Sequence, residues 1–398
     1  MLRSSLGFHT MTLSLFLVGN EIYQLLDDFI DYNEKTGFLL MYRKNESGKY
    51  IKYFPQKGNI SYLPSDIKIY YNNKNKGIKW HISNDCFHNM GYIAEVIINP
   101  KTLSNVYDYI TAATYSDMNM AIINFNNEMK KISPLLKTFY DYSIKRVDYC
   151  INFYLKELVP ECSQEQIIDL LKRGDVPPSY KEWTKFDERG HRNKSRPESF
   201  YLYNSSVTIN CYSKYMQLKN KSIENQKKER APIPIQELEA TRDIIRFEVQ
   251  CKYHKTFTLN QKAEVLGNHE FNKYKTLLGY NFYNEEVHYY WNKVIGKGDW
   301  YSMQEATRII QSKRFNSQKE NRLIEALQFV SLHRSIATAK SLLEGYKLKA
   351  FKHTLKELSS LNINPVTIPK RWDICHIPNL LYQYYTKAQL AEYESLFR

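Results

Sequence analysis

Apolar and polar residues alternate most clearly in three stretches: Lys145–Leu155 (KRVDYCINFYL), Phe200–Lys214 (FYLYNSSVTINCYSK) and Asp243–Lys252 (DIIRFEVQCK). A period of two marks a strand that covers a core with one face. In phase, Val147, Tyr149, Ile151 and Phe153 point inward, as do Val207, Ile209 and Cys211, and Ile245, Phe247, Val249 and Cys251. The second stretch reads as a hairpin turning at Asn204-Ser205-Ser206. Residues 20–130 read as mixed α/β, with a helix over Glu21–Tyr32 and strands over Gly37–Tyr42, Tyr50–Phe54, Asp66–Tyr71, Trp80–Ile82 and Tyr92–Ile98. Asn99-Pro100 reads as a stop, followed by helices over Ser104–Ala113 and Asn119–Ile132. Gln164–Lys172 predicts a helix with Ser163 as N-cap.

Two polar stretches interrupt the pattern. Arg173–Pro197, with two Gly and three Pro, reads as a mobile loop over the sheet. Lys219–Pro234, which holds the charge run Lys227–Arg230, reads as an exposed excursion. Beyond about residue 255 the period becomes helical. Ser302-Met303-Gln304-Glu305 fits a capping box that opens a helix to Lys313. Leu323, Ile324, Leu327 and Val330 form a helical stripe within Gln318–Leu332, and short helices follow over Ser335–Leu343 and Lys347–Leu358. Asn364-Pro365 and Ile368-Pro369 then stop helix formation.

The expected fold is therefore α/β (α+β), a central antiparallel sheet with helices followed by a helical C-terminal domain. The expected division is an N-terminal α/β region (1–130), a sheet with basic loops that carries the site (131–260) and a helical domain (261–398). The last has basic faces that suit either a helix-turn-helix or winged-helix module or a packing subdomain.

Composition adds a partner class. Lys+Arg exceeds Asp+Glu by 14 in 398 residues, and such an excess favours polyanions, nucleic acid first. Lys, Asn, Ile and Tyr share A/T-rich codons, so part of the excess and of the 33 tyrosines reflects codon composition. Six scattered cysteines without a CxxC pair argue against a disulfide frame or a structural zinc site. The apolar run Leu13–Val18 is shorter than a signal core, and no stretch approaches the ~20 apolar residues of a membrane span. The expectation is a cytoplasmic protein with no membrane partner.

The polar faces of the three strands carry the candidate chemistry: Asp148, Asn152, Tyr212, Lys214, Arg246 and Glu248. Asp148 and Glu248 are hard oxygen donors suited to Mg²⁺ or Mn²⁺, with Asn152 or Gln250 as neutral supplements. Such an ion would polarise a scissile phosphate. Tyr212 would supply a nucleophilic oxygen, and Lys214 and Arg246 would hold phosphate oxygens. The structural alternative is a pair of cross-strand ion pairs, Asp148–Arg246 and Glu248–Lys214. Spacing alone leaves both open. There is no His-x-His strand, no phosphate-binding loop of the GxxxxGK[ST] type, no GxGxxG and no GxSxG, so an ATPase or helicase activity is not expected.

Arg-Val-Asp-Tyr-Cys-Ile-Asn at 146–152, Tyr-Leu-Tyr-Asn-Ser at 201–205, Cys-Tyr-Ser-Lys at 211–214 and Arg-Phe-Glu-Val-Gln at 246–250 appear in an order that resembles rolling-circle replication initiators. The branch is the "replication initiation factor" type of plasmids, filamentous phages and integrative conjugative elements. The resemblance covers roughly 140–255. It implies site-specific nicking of one DNA strand, a 5′-phosphotyrosyl intermediate and a freed 3′-OH. It also implies Asp148 and Glu248 as metal ligands and Tyr212 as nucleophile, with Tyr201 and Tyr203 as substitutes. The chain departs from the family at Asn204-Ser205, where Gly is usual in the hairpin, and at Asn152, where a second acid is common. Expected partners are origin DNA, single-stranded or hairpin, a host helicase, and a second copy of the chain. The basic loops offer Arg192, Lys194, Arg196, Lys227, Lys228 and Arg230 to DNA. The alternative is a non-catalytic DNA-binding initiator or regulator.

Overall fold

The computed structural model describes residues 3–18, 21–37, 39–44, 47, 49–52, 67–73, 77–84, 91–104, 110–182, 185–186, 192–193, 198–227, 231–267 and 270–395. The strands are β1 (Ser5–Val18), β2 (Leu39–Lys44), β3 (Tyr50–Lys52), β4 (Ile67–Asn73), β5 (Ile78–Asn84), β6 (Gly91–Ile98), β7 (Ser143–Tyr154), β8 (Lys181–Glu182), β9 (Lys185–Phe186), β10 (Arg192–Asn193), β11 (Ser199–Tyr203), β12 (Val207–Ser213), β13 (Ile244–Cys251), β14 (Trp300–Tyr301) and β15 (His376–Ile377). The helices are α1 (Glu21–Thr36), α2 (Pro100–Leu103), α3 (Tyr115–Ile132), α4 (Leu155–Leu158), α5 (Gln164–Lys172), α6 (Lys214–Lys227), α7 (Ile235–Ala240), α8 (Tyr253–Gly267), α9 (Glu270–Leu277), α10 (Tyr280–Val294), α11 (Met303–Ser312), α12 (Ser317–His333), α13 (Ile336–Ser341), α14 (Gly345–Ser360) and α15 (Leu380–Ser395).

Among the described residues eleven strands form one antiparallel sheet in the order β3-β2-β4-β5-β6-β1-β7-β13-β12-β11-β8. The α/β class with a central antiparallel sheet and a helical C-terminal region is as the periodicities predict. The strand bounds of β7, β12 and β13 follow the three alternating stretches closely. Their expected inward residues are buried, from Val147 to Cys251.

The two halves of the sheet meet at β1, which pairs with β6 on one side and β7 on the other. The division at 130/131 therefore does not interrupt the sheet. Residues 5–18, which include the apolar run Leu13–Val18, form a strand near its middle. Their apolar positions Leu6, Phe8, Met11, Leu13, Leu15 and Leu17 are all buried.

Helices close the apolar face. The Phe29 ring of α1 lies 5.0 Å from Trp80, itself stacked on Tyr71 at 5.5 Å. At the other half, Trp291 of α10 sets its ring edge-on to Phe153 and Phe247, at 5.1 and 5.2 Å. The Tyr149 hydroxyl, buried beneath α9, donates to the Leu277 carbonyl at 2.9 Å. The first helices after residue 253 thus cover the sheet, and α11–α14 pack on one another beyond them.

The Asn99-Pro100 stop does end β6 at Ile98, and Pro100 then opens α2, where its missing N–H costs nothing. Two expectations fail. The helix expected over Ser104–Ala113 is not found at the described ends of that span: Ser104 ends the one-turn α2, Ala113 makes an antiparallel bridge to Phe8, and residues 105–109 lie outside the described residues. Lys219–Pro234 is not an excursion along its length, because α6 runs through Lys227. The sequence also gave no hint of α15 after the two X-Pro stops. No helix among the described residues is long and apolar enough to cross a membrane.

Candidate functional site

A β-bulge builds one wall of the site. Between Phe8↔Tyr149 and Met11↔Val147, β1 spends two residues, His9 and Thr10, opposite the single Asp148. A bulge of this kind re-aims side chains without moving the strand's apolar positions to the other face. Here it brings Thr10 Oγ1 into a hydrogen bond with Asp148 Oδ2 and His9 Nδ1 to 3.6 Å from Glu248 Oε2. The Ala113 strand segment lies directly over Gly7, where a methyl group would overlap the Ala113 carbonyl oxygen. Glycine is needed there for close approach, not for unusual dihedrals.

Register then sorts the expected site residues into three rows across the sheet. One row runs Ser5, Asn152, Arg246, Tyr212, Ser199. The next runs Gly7, Cys150, Glu248, Asn210, Tyr201, and the third Asp148, Gln250, Thr208, Tyr203. Asp148 and Glu248 are diagonal neighbours on adjacent strands. Lys214, at the first turn of α6, follows directly on β12. The face is not wet: Asp148, Asn152, Arg246, Glu248, Lys214 and Tyr212 are all at or below 6 % exposure.

The ion pairs differ from those the strand phases suggest. Arg146, on the same strand, grips Asp148 with both arms, Nε to Oδ1 and Nη2 to Oδ2 at 2.7 Å each. Arg246 instead donates from Nε to Asn152 Oδ1 at 2.7 Å, and Asn152 donates on to the Ile110 carbonyl. Glu248 accepts from Gln250 Nε2 at 2.8 Å and from the Tyr212 hydroxyl at 3.2 Å. The Lys214 amine makes no hydrogen bond to any described residue. Arg246 Nη1 and Thr208 Oγ1 are buried without a partner.

Burial dominates the electrostatics. It holds the Lys214 ammonium well below its ordinary range, with the Arg246 charge adding to it. Burial and then the Glu248 charge push the Tyr212 phenol up. Burial and Glu248 also raise Asp148, to about 6, against the Arg146 fork and Thr10. His9 keeps 27 % of its side chain at the surface, yet the surrounding protein and then Arg246 and Lys214 hold it well below the usual imidazole value. Its contact with Glu248 is therefore dipolar rather than an ion pair. The Cys150 thiol is pushed up to about 12 by burial and is inert.

The carboxylates do not present a ready cage for a divalent cation. Both oxygens of Asp148 are taken by Arg146 and Thr10, both of Glu248 by Gln250 and Tyr212, and Asn152 Oδ1 by Arg246. No group of three or more His, Cys, Asp or Glu gathers around one point among the described residues. What the face does offer is a guanidinium arm without a partner beside a Tyr–Glu hydrogen bond, with the buried Lys214 amine following on β12.

The face opens sideways into a cleft of about 650 Å³ between β11–β12 and α6, with Tyr201, Asn210 and Tyr212 on its floor and Gln217, Asn220 and Lys221 on its wall. Of the three tyrosines, Tyr212 is the most enclosed, and Tyr201 and Tyr203 are half-buried at the sheet's edge side. Their rings lie 6.3 Å apart, and Lys252 sits 5.8 Å from the Tyr203 ring. The hairpin turn closes without glycine because Asn204 Oδ1 accepts from both Ser206 N and Val207 N. Of the expected DNA contacts, Lys227 is exposed at the end of α6. Lys194, Arg196, Lys228 and Arg230 lie outside the described residues, as does the side chain of Arg192.

His9 and Thr10 escaped the sequence reading. Their signal was present: apolar residues at 6 and 8, then at 11, 13, 15 and 17, a period of two with one slip. Compared with family models, curated proteins and solved structures, the chain matches none of them, and the chemistry of the site rests on its own residues.

Proposed function

We propose that this protein is a replication initiation enzyme that nicks one DNA strand through a tyrosine. One observation carries the reading. Arg246 Nη1 is buried without a hydrogen-bond partner directly across from Tyr212, whose hydroxyl bonds to Glu248, and the Lys214 side chain is buried two residues beyond Tyr212. Burying a cation without a partner is costly, and folds keep such groups where a ligand completes them. A phosphodiester supplies the missing anion. The phenol oxygen then attacks phosphorus, its proton passes to Glu248, and the bond to the 3′ oxygen breaks. The products are a 5′-phosphotyrosine and a free 3′-OH that takes a proton from water. Arg246 and Lys214 balance the charge that builds on the phosphoryl oxygens.

The Mg²⁺ or Mn²⁺ implied by the family resemblance has Asp148 and Glu248 as its candidate ligands. In the present arrangement a cation would have to displace the Arg146 fork, so no step is assigned to it. Tyr201, which lines the open cleft, is the second candidate nucleophile.

Incubation of the purified chain with a supercoiled origin plasmid tests the reading. A covalent protein–DNA adduct that Tyr212→Phe abolishes while retardation persists supports it. Loss in Tyr201→Phe or Tyr203→Phe instead moves the nucleophile, and retardation with no adduct in any metal ion refutes strand transfer. Cleavage that persists in EDTA removes the metal from the scheme. The internal pairing of Arg146 with Asp148 and of Gln250 with Glu248 favours the second reading, a DNA-binding initiator in which the cluster is architectural. That reading predicts retardation alone. Origin DNA, a host helicase and a second copy of the chain remain the partners this proposal names.

A further inference from the structure

Where α10 ends, the chain turns through Gly296, at φ +99°, and Gly298, which lies against the backbone of Ile363 and Asn364. Two buried asparagines pin this turn. Asn364 Nδ2 donates to the Ile295 carbonyl at 2.9 Å, and Asn379 Nδ2 to the Gly296 carbonyl at 3.0 Å. Lys297 is therefore held on a fixed loop rather than a mobile one. It lines a hollow of about 360 Å³ together with Lys293, Lys340, Lys352 and Lys356.

Five lysines around one hollow meet a single carboxylate, Asp175, and Lys340 is bonded to it. Lys293 rests 5.3 and 5.4 Å from the rings of Tyr180 and Tyr289. Lys297, Lys352 and Lys356 have no acidic partner among the described residues and are exposed to the hollow's mouth. Several other cations of this region do have acidic partners: Arg308 with Glu305, Lys262 with Glu285, and Lys319 and Arg322 with Glu357. Glu357, the acid of α14 nearest these lysines in sequence, is turned to α12 and leaves the lysine face of its helix unbalanced. Lys352 and Lys356, four residues apart, repel each other across one turn. A concave, pinned cluster of like charges lowers its own energy by taking up a multivalent anion.

We infer that this lysine pocket binds phosphate groups, carried by a nucleic-acid backbone or by a free nucleoside polyphosphate. The site stands apart from the Tyr212 cluster and does not rest on strand transfer. Fluorescence anisotropy on the full chain with a labelled 20-nucleotide DNA and with a labelled nucleoside triphosphate tests it. Lys297→Ala/Lys352→Ala/Lys356→Ala should weaken binding of at least one probe by roughly tenfold or more. For single-stranded DNA it should also flatten the salt slope by about 2, the value for three phosphate contacts. Lys347→Ala/Lys349→Ala, a control on the same helix, should change affinity less than twofold. The triple Lys→Arg variant should retain binding, which separates charge from folding. Loss with the DNA alone assigns the backbone, and loss with the triphosphate alone assigns a free nucleotide. Equal loss in the control, or no loss with either probe, overturns the site.

Discussion

Asp148 and Arg146 share two hydrogen bonds, yet the pair is lopsided. Asp148 has no exposed surface, whereas Arg146 keeps 35 % of its side chain in water. Removing Asp148 lets the guanidinium turn to solvent; removing Arg146 strands a buried carboxylate. Arg146→Met should therefore cost about 3–5 kcal/mol in urea unfolding, and Asp148→Asn about 2 kcal/mol. The reverse order would mean that Thr10 rather than Arg146 carries the acid. His9 gives the pH dependence. Because burial and then the Arg246 charge hold its folded pKa well down, only the unfolded chain takes up that proton below about 6.5. Stability from this group falls as pH falls. Asp148 has the opposite sign: raised to about 6 from 3.8, it binds its proton first in the folded state, so its contribution rises as pH falls from about 6 to 4. His9→Gln removes only the first slope. Its urea midpoint relative to wild type should climb between pH 6.5 and 4.5, and parallel curves would show that His9 titrates freely.

At the scale of elements, β1 decides the site. Its bulge supplies Thr10 and His9, and its Gly7 admits the Ala113 segment whose neighbour Ile110 accepts from Asn152. A side chain at position 7 would push that segment off the sheet. Gly7→Ala should lose about 3 kcal/mol and, through Asn152, loosen Arg246. Proteolysis near residue 110 reports the second effect, and unchanged cleavage there would disconnect the strap from the site. β12 and α6 contribute differently. The strand hands straight on to the helix at Lys214, so the amine is fixed at the junction of two rigid elements instead of swinging on a loop.

Across the whole molecule, Trp291 joins three parts. Its ring sits against Phe153 and Phe247 of the sheet, and its Nε1 donates to Asn379 Oδ1 at 3.0 Å, just before α15. Asn379 in turn holds the turn that carries Lys297. Trp291→Ala should cost about 3–5 kcal/mol and, if the sheet and the C-terminal helices melt as one unit, keep a single unfolding transition. Two transitions in calorimetry would separate them at α10.

Local pattern by itself determined β7, β12 and β13, with their inward faces, and the capped helices at Ser163 and Ser302, because alternation and capping act over a few residues. It also gathered Asp148, Asn152, Tyr212, Arg246 and Glu248 on one face, since a period of two fixes sides. Pairing was beyond it. Which arginine meets Asp148, whether the polar face is wet or covered, and what Lys214 faces depend on register and on segments brought from residues 7–10, 110–113 and 214–224. Burial, not the residue types alone, raised Tyr212 and Asp148 and lowered Lys214, and burial is a property of the assembled fold. The slip at Phe8–Met11 was legible as a broken period, but its consequence, two extra side chains opposite one aspartate, existed only once β1 lay beside β7.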